Sequence, residues 1–131
     1  MAIGDDIPVS MASAPAANAD RVIFNVKFFR TFTLGDGVLE TEIIGLFLAD
    51  LPVVKARIMA ALETDDWLDA VHRLRGSALG IGAERLADVA RSAEGLGIDE
   101  DADRLRALAD LCDKIGALVS ELSSRGFVAA A

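Results

Sequence analysis

The sequence predicts an all-α fold: an antiparallel up-and-down four-helix bundle with a short N-terminal covering helix. Three observations carry that expectation. Hydrophobic residues make up 53% of the 131 residues and aromatic residues only 5%. A core of Ala, Leu, Val and Ile favours packed helices over a β-sandwich. Apolar positions recur at spacings of three and four, the period of a helix face. The interruptions between these stretches are short, and helices on short connections pack antiparallel against their sequence neighbours.

Residues 1–20 are rich in Ala, Pro, Ser and Asp without a period, and read as a flexible N-terminal tail. Asp5 and Asp6 stand where a signal peptide requires positive charge. The bundle is expected over 21–124 and a C-terminal tail over 125–131. Val22, Ile23, Val26, Phe28, Phe29 and Phe32 suggest the covering helix within Arg21–Phe32, with a strand at 22–26 as the alternative. Leu34-Gly35-Asp36-Gly37 is a break, in which Asp36 can cap the next helix. That helix would bury Leu39, Ile43, Leu46, Phe47, Val54, Ile58 and Leu62. Pro52 lacks a backbone donor, so the helix is expected to kink near Leu48 or to break in two.

Thr64, Asp65 or Asp66 is the expected cap of the next helix, whose stripe is Trp67 or Leu68, Val71, Leu74, Ala78 and Ile81. Gly80 and Gly82 would end it, since glycine suits a left-handed C-cap. The next segment, Ala83 to Leu96, turns Leu86, Val89, Ala90 and Ala93 inward and ends at Gly95 and Gly97. Asp99 would open a last helix burying Leu105, Leu108, Ala109, Cys112, Ile115, Val119 and Leu122. Cys112 is the sole cysteine, so no intramolecular disulfide can form, and its apolar position suits a small hydrophobe.

Charge narrows the function classes. The net charge is −8, from 13 basic and 21 acidic residues. A nucleic-acid binder needs a cationic footprint, and so does electrostatic attachment to a membrane surface. No segment reaches the ~18 uninterrupted apolar residues of a membrane span, so a cytoplasmic protein is the expectation. Arg73, Arg75, Arg85 and Arg91 nevertheless cluster in sequence, a basic spot suited to an anion or an acidic partner.

His72 is the only histidine. Its i+3 and i+4 neighbours, which share its helix face, are Arg75 and Gly76. An imidazole nucleophile, a guanidinium able to hold phosphate oxygens and a glycine that leaves room for a partner suit acceptance and donation of a phosphoryl group. Gly76 costs about 1 kcal/mol against alanine in mid-helix, which asks for a reason. Leu68 and Leu79 lie a turn below and two turns above His72 on the same flank, with Asp69 beside it. Each feature has an ordinary explanation: a boundary histidine, a solvated arginine, a glycine admitting a neighbouring helix, buried leucines. Together, at this spacing, they favour the phosphoryl carrier.

The run His72-Arg73-Leu74-Arg75-Gly76-Ser77-Ala78-Leu79-Gly80-Ile81-Gly82-Ala83 resembles the signature of histidine phosphotransfer (HPt) domains of two-component phosphorelays. That signature is histidine, any residue, leucine, lysine or arginine, glycine, serine, alanine, two further residues, leucine or isoleucine, glycine, alanine. Phe47 followed by Pro52 and the Leu86–Glu94 segment extend the resemblance to roughly Val22–Leu122. It implies that His72 takes the phosphoryl group, that Arg75 steadies it where lysine is commoner, and that Gly76 leaves space for a receiver domain. Leu68, Asp69 and Leu79, with residues of the preceding helix, would form the docking face. The implied protein is a carrier and not an enzyme. It has no cofactor or metal of its own, and Mg2+ is expected on the receiver. Its partners would be the receiver domain of a hybrid histidine kinase and/or a response regulator, and a monomer is the expected state.

Other classes fit less well. A phosphate-independent helical adaptor remains the alternative, but it would not require His72. A histidine kinase fragment would need a glycine-rich nucleotide motif. A four-helix metal protein needs Glu and His in i, i+3 pairs on several helices. A serine or cysteine hydrolase finds no partner for Ser77 or Cys112.

Overall fold

The computed structural model describes residues 21–96 and 100–127. Five helices follow in order: α1 Val26–Thr33, α2 Gly37–Ala60, α3 Thr64–Ile81, α4 Glu84–Gly95 and α5 Asp101–Ser124. No strand occurs among the described residues. The expectations for residues 1–20, Gly97, Asp99 and 128–131 lie outside them.

The four long helices form the bundle. α2 packs on α3, α3 on α4 and α4 on α5, while α1 rests on α2 and α3. The two 24-residue helices, α2 and α5, are each about 36 Å long at 1.5 Å per residue. They run in opposite directions, and contacts at both ends show it. Near the start of α5, Arg104 Nη2 donates to the Met59 carbonyl near the end of α2 at 2.7 Å. Past the end of α5, the Phe127 ring meets the rings of Phe24, just before α1, and Phe29, within it, at 5.5 and 5.8 Å.

Local chemistry accounts for the ends. Asp36 caps α2 as expected, accepting from the backbone N–H of Val38 and Leu39. α3 differs from expectation: its cap residue is Glu63, with no side-chain cap bond, and Thr64 is already helical. Gly80 also lies inside α3. Only Gly82 terminates it, at φ +88°. The Gly82 N–H reaches the Ala78 and Leu79 carbonyls and the Ala83 N–H reaches Ala78 at 2.9 Å, the bonding of a Schellman cap. A Cβ on Gly82 would stand 2.9 Å from the Asn25 carbonyl oxygen.

Two buried stripes differ from expectation. α2 buries Ile44, Phe47, Leu51, Val54 and Ile58, whereas Leu39, Leu46 and Leu62 are exposed. α5 buries Ala107, Leu111, Leu118 and Leu122, whereas Leu105, Ala109 and Val119 are exposed. The α2 stripe alternates steps of three and four, and the α5 stripe runs in steps of four, seven and four; both keep one face on the neighbour over many turns. α3 and α4 bury the expected residues, with Leu68 and Val89 half-buried. α2 continues through Pro52 without a break. Residues 22–25 form no strand. They strap the covering helix to the α3–α4 turn through Asn25 N–H to Gly82 O (2.8 Å) and Arg85 N–H to Val22 O (3.1 Å).

Beneath α1, Glu40 is buried. Its Oε2 accepts from Thr33 Oγ1 at 2.7 Å and Arg30 Nε at 3.3 Å. A buried carboxylate is tolerated when it is hydrogen-bonded and paired, as here. Among the described residues no helix is long and apolar enough to cross a membrane.

Candidate functional site

His72 lies mid-way along α3, between buried Val71 and Leu74. The two core residues fix the helix against its neighbours, so the intervening position faces outward and His72 is 69% exposed. Its Nδ1 faces α4, where the Glu94 Oε1 lies 3.6 Å away. The other ring nitrogen, Nε2, is not committed to that carboxylate.

Glu94 is the residue that sequence reasoning missed. Arg75 Nη1 donates to both of its oxygens, at 3.1 Å and 3.0 Å. The expected phosphate-holding arginine is thus present one turn from His72, and it is already paired. α4 is placed for this by Trp67, which is buried five residues before His72 and donates from Nε1 to the Ala93 carbonyl at 2.9 Å. The bond fixes the backbone next to Glu94. The only signal in the sequence is its place beside Ala93 on the inward stripe of α4; whether it meets α3 depends on how α4 lies on that helix.

Of the four arginines of the basic spot, two are ion-paired on folding, one donates to a backbone carbonyl, and Arg91 is exposed on α4. Arg73 bonds Asp50 of α2 at 2.6 Å, Arg75 bonds Glu94, and Arg85 donates to the Arg21 carbonyl at 2.9 Å. The anion-facing character of the site therefore rests on Arg75, the paired cation nearest the ring on its own face.

Gly76 is exposed, and a Cβ built there meets no atom within 4 Å. The same holds for Gly80. Close packing of a neighbouring helix therefore does not explain Gly76. Of the other expected contact residues, Asp69 is exposed, Leu79 is 47% exposed and Leu68 is half-buried against the core. α2 adds Leu46, 73% exposed and one turn from Asp50, the partner of Arg73. The bare turn of α3 around His72 is thus flanked by apolar side chains from two helices. Groups of three or more His, Cys, Asp or Glu that could hold a metal ion do not occur among the described residues.

The family model of the Hpt domain matches residues 42–125, well over half of the chain and the whole of the segment that carries these residues. The chain belongs to the Hpt domain family. Its role is accordingly phosphotransfer in two-component signalling: Hpt domains are phosphocarrier modules rather than catalysts, and they act with receiver domains of kinases or response regulators. A solved structure agrees on the fold. The HPT domain from the Hpt sensor hybrid histidine kinase from Shewanella superposes with a TM-score of 0.59 at 20% identity, covering 82% of this chain and 97% of that one. No curated protein sequence matches this Hpt domain.

Proposed function

We propose that this Hpt domain relays a phosphoryl group between receiver-domain aspartates through His72. The observation that supports it best is the juxtaposition of an exposed imidazole, an arginine one turn away and a glycine turn bare of neighbours, all on one helix face. His72 Nε2 attacks the phosphorus of the aspartyl phosphate. The N–P bond forms as the acyl P–O bond breaks, and the receiver carboxylate leaves with the electron pair. The ring then carries a proton on Nδ1, on the side of Glu94. Return to a second receiver reverses these steps.

Such a transfer needs in-line positioning and neutralised charge more than covalent help. A convex helix face supplies little of either, so Mg2+ and most positioning groups belong to the receiver in this reading. Arg75 contributes the carrier's own cation. Gly76 and Gly80 let the receiver approach the ring, and Leu46, Leu79 and Asp69 edge the contact. Leu68, half-buried, supports that edge from beneath. The carrier works as a monomer and in the cytoplasm, where receivers are charged from ATP-dependent kinases.

The test is phosphate transfer from a phosphorylated receiver or hybrid kinase of the same organism to wild type and His72→Gln. Acid-labile, base-stable label on the wild type alone is the expected result, with the variant's helical content unchanged. Label on the variant would sink the assignment of His72. No label on either protein would favour a phosphate-independent adaptor using the same face.

A further inference from the structure

We propose that Glu94 competes with the phosphoryl group for Arg75, and that this competition biases the carrier towards giving its phosphoryl group up. The inference rests on the phosphotransfer reading of His72 and adds a residue that sets its equilibrium.

Arg75 spends Nη1 on both oxygens of Glu94, at 3.1 Å and 3.0 Å. The same carboxylate lies 3.6 Å from His72 Nδ1. A guanidinium presents a fixed fork of donors, so a nitrogen aimed at one anion is not aimed at another. For Arg75 to bring that nitrogen to a phosphoryl group on His72, Nη1 must turn away from Glu94. That movement leaves Glu94, with only 21% of its side chain exposed, short of its partner. Loss of the partner of a partly buried charge is costly. Arg91, three residues before Glu94 on α4, is exposed and makes no ion pair with it. The ion-pair partners of Glu94 among the described residues are Arg75 and His72, and Arg73 is held by Asp50. Phosphorylation also brings a dianion towards a carboxylate. The imidazolium formed on transfer recovers part of this through Nδ1, but at a longer distance than the arginine bonds. A carboxylate here therefore raises the energy of the phosphorylated carrier. Glutamine, with the same shape and no charge, would not bind Arg75 so firmly.

A small donor separates this from receiver docking. The full chain is incubated with potassium phosphoramidate at a fixed ratio of donor to ammonium. The donor P–N bond breaks, the N–P bond to His72 forms, and ammonia leaves. Intact mass and phosphorus NMR give the exchange equilibrium constant for wild type, Glu94→Gln, Arg75→Ala and the double variant, with His72→Gln as the blank. Glu94→Gln is expected to raise the constant roughly two- to fivefold, the range set by partly exposed ion pairs. In the Arg75→Ala background the same change should have a clearly smaller effect, because the contested group is gone and only the direct repulsion is left. An unchanged or lower constant in Glu94→Gln overturns the proposal. So does an equal rise in both backgrounds, which would mean simple repulsion without competition. If the wild type takes no label above the His72→Gln blank, the phosphotransfer reading itself fails, and this inference with it.

Discussion

Gly76 and Gly82 stand six residues apart in one signature and do opposite things. Gly82 holds a left-handed backbone conformation, and its missing side chain admits the Asn25 carbonyl. Gly76 is helical, exposed and touched by nothing. Alanine at Gly76 is therefore expected to stabilise the isolated protein by about 0.5–1 kcal/mol, through helix propensity and a less flexible unfolded chain. The same methyl would stand where a receiver must approach, so transfer should slow. Thermal unfolding and transfer rate measured together check this, and a slower transfer with a lower melting temperature would refute it. The residue scale is also where the sequence was most legible. His72, Arg75 and Gly76 were readable from i+3 and i+4 spacing, because a helix face is a local property. Glu94 was not, because its approach to Arg75 depends on how α4 lies on α3.

Among the elements, the α3–α4 hairpin does the positioning. Its turn is fixed by the Schellman bonds of Ala83 and Gly82 and by the strap from Asn25. Its open end is fixed by Trp67 on Ala93. Gly82→Ala attacks the first of these. A left-handed alanine costs about 1–2 kcal/mol, and the contact with Asn25 adds to it. Denaturant unfolding is expected to show a loss of at least that size, with transfer by the folded fraction preserved. A loss below about 0.5 kcal/mol would mean that the turn relaxes freely. α2 and α5 show where element-level reading stops. Each carries two overlapping apolar stripes, for example Leu105, Leu108, Cys112 and Val119 against Leu111, Leu118 and Leu122. Composition does not choose between them. The neighbour does, by accepting the stripe that stays in register along the bundle. For α2 that choice turned Leu46 outward and made it part of the candidate docking face.

At the scale of the molecule, the bundle is closed at one end by aromatic rings from both ends of the described chain. Phe24, Phe29 and Phe127 meet at 5.5–5.8 Å, so Phe127, beyond the last helix, packs on the covering segment. Edge-on aromatic pairs add roughly 0.5–1.5 kcal/mol each beyond the area they bury. Phe127→Ala is expected to lower the unfolding midpoint in a single transition followed by the lone tryptophan, Trp67. A separate early transition would show that the covering segment melts independently of the bundle. The His72 face is far from this cluster in the chain and should keep its transfer activity in the variant.

By itself, the sequence determined the helical class, the order of the helices, the cap at Asp36, the end at Gly82 and the histidine with its face, all of which follow from spacing and local backbone chemistry. Tertiary structure decided which stripe of α2 and α5 is buried, that the arginines beside His72 are paired, and that Glu94 faces both Arg75 and the ring. Those depend on the rotation and register of one helix against another, which are set by the summed packing of two surfaces and are not written in either one alone.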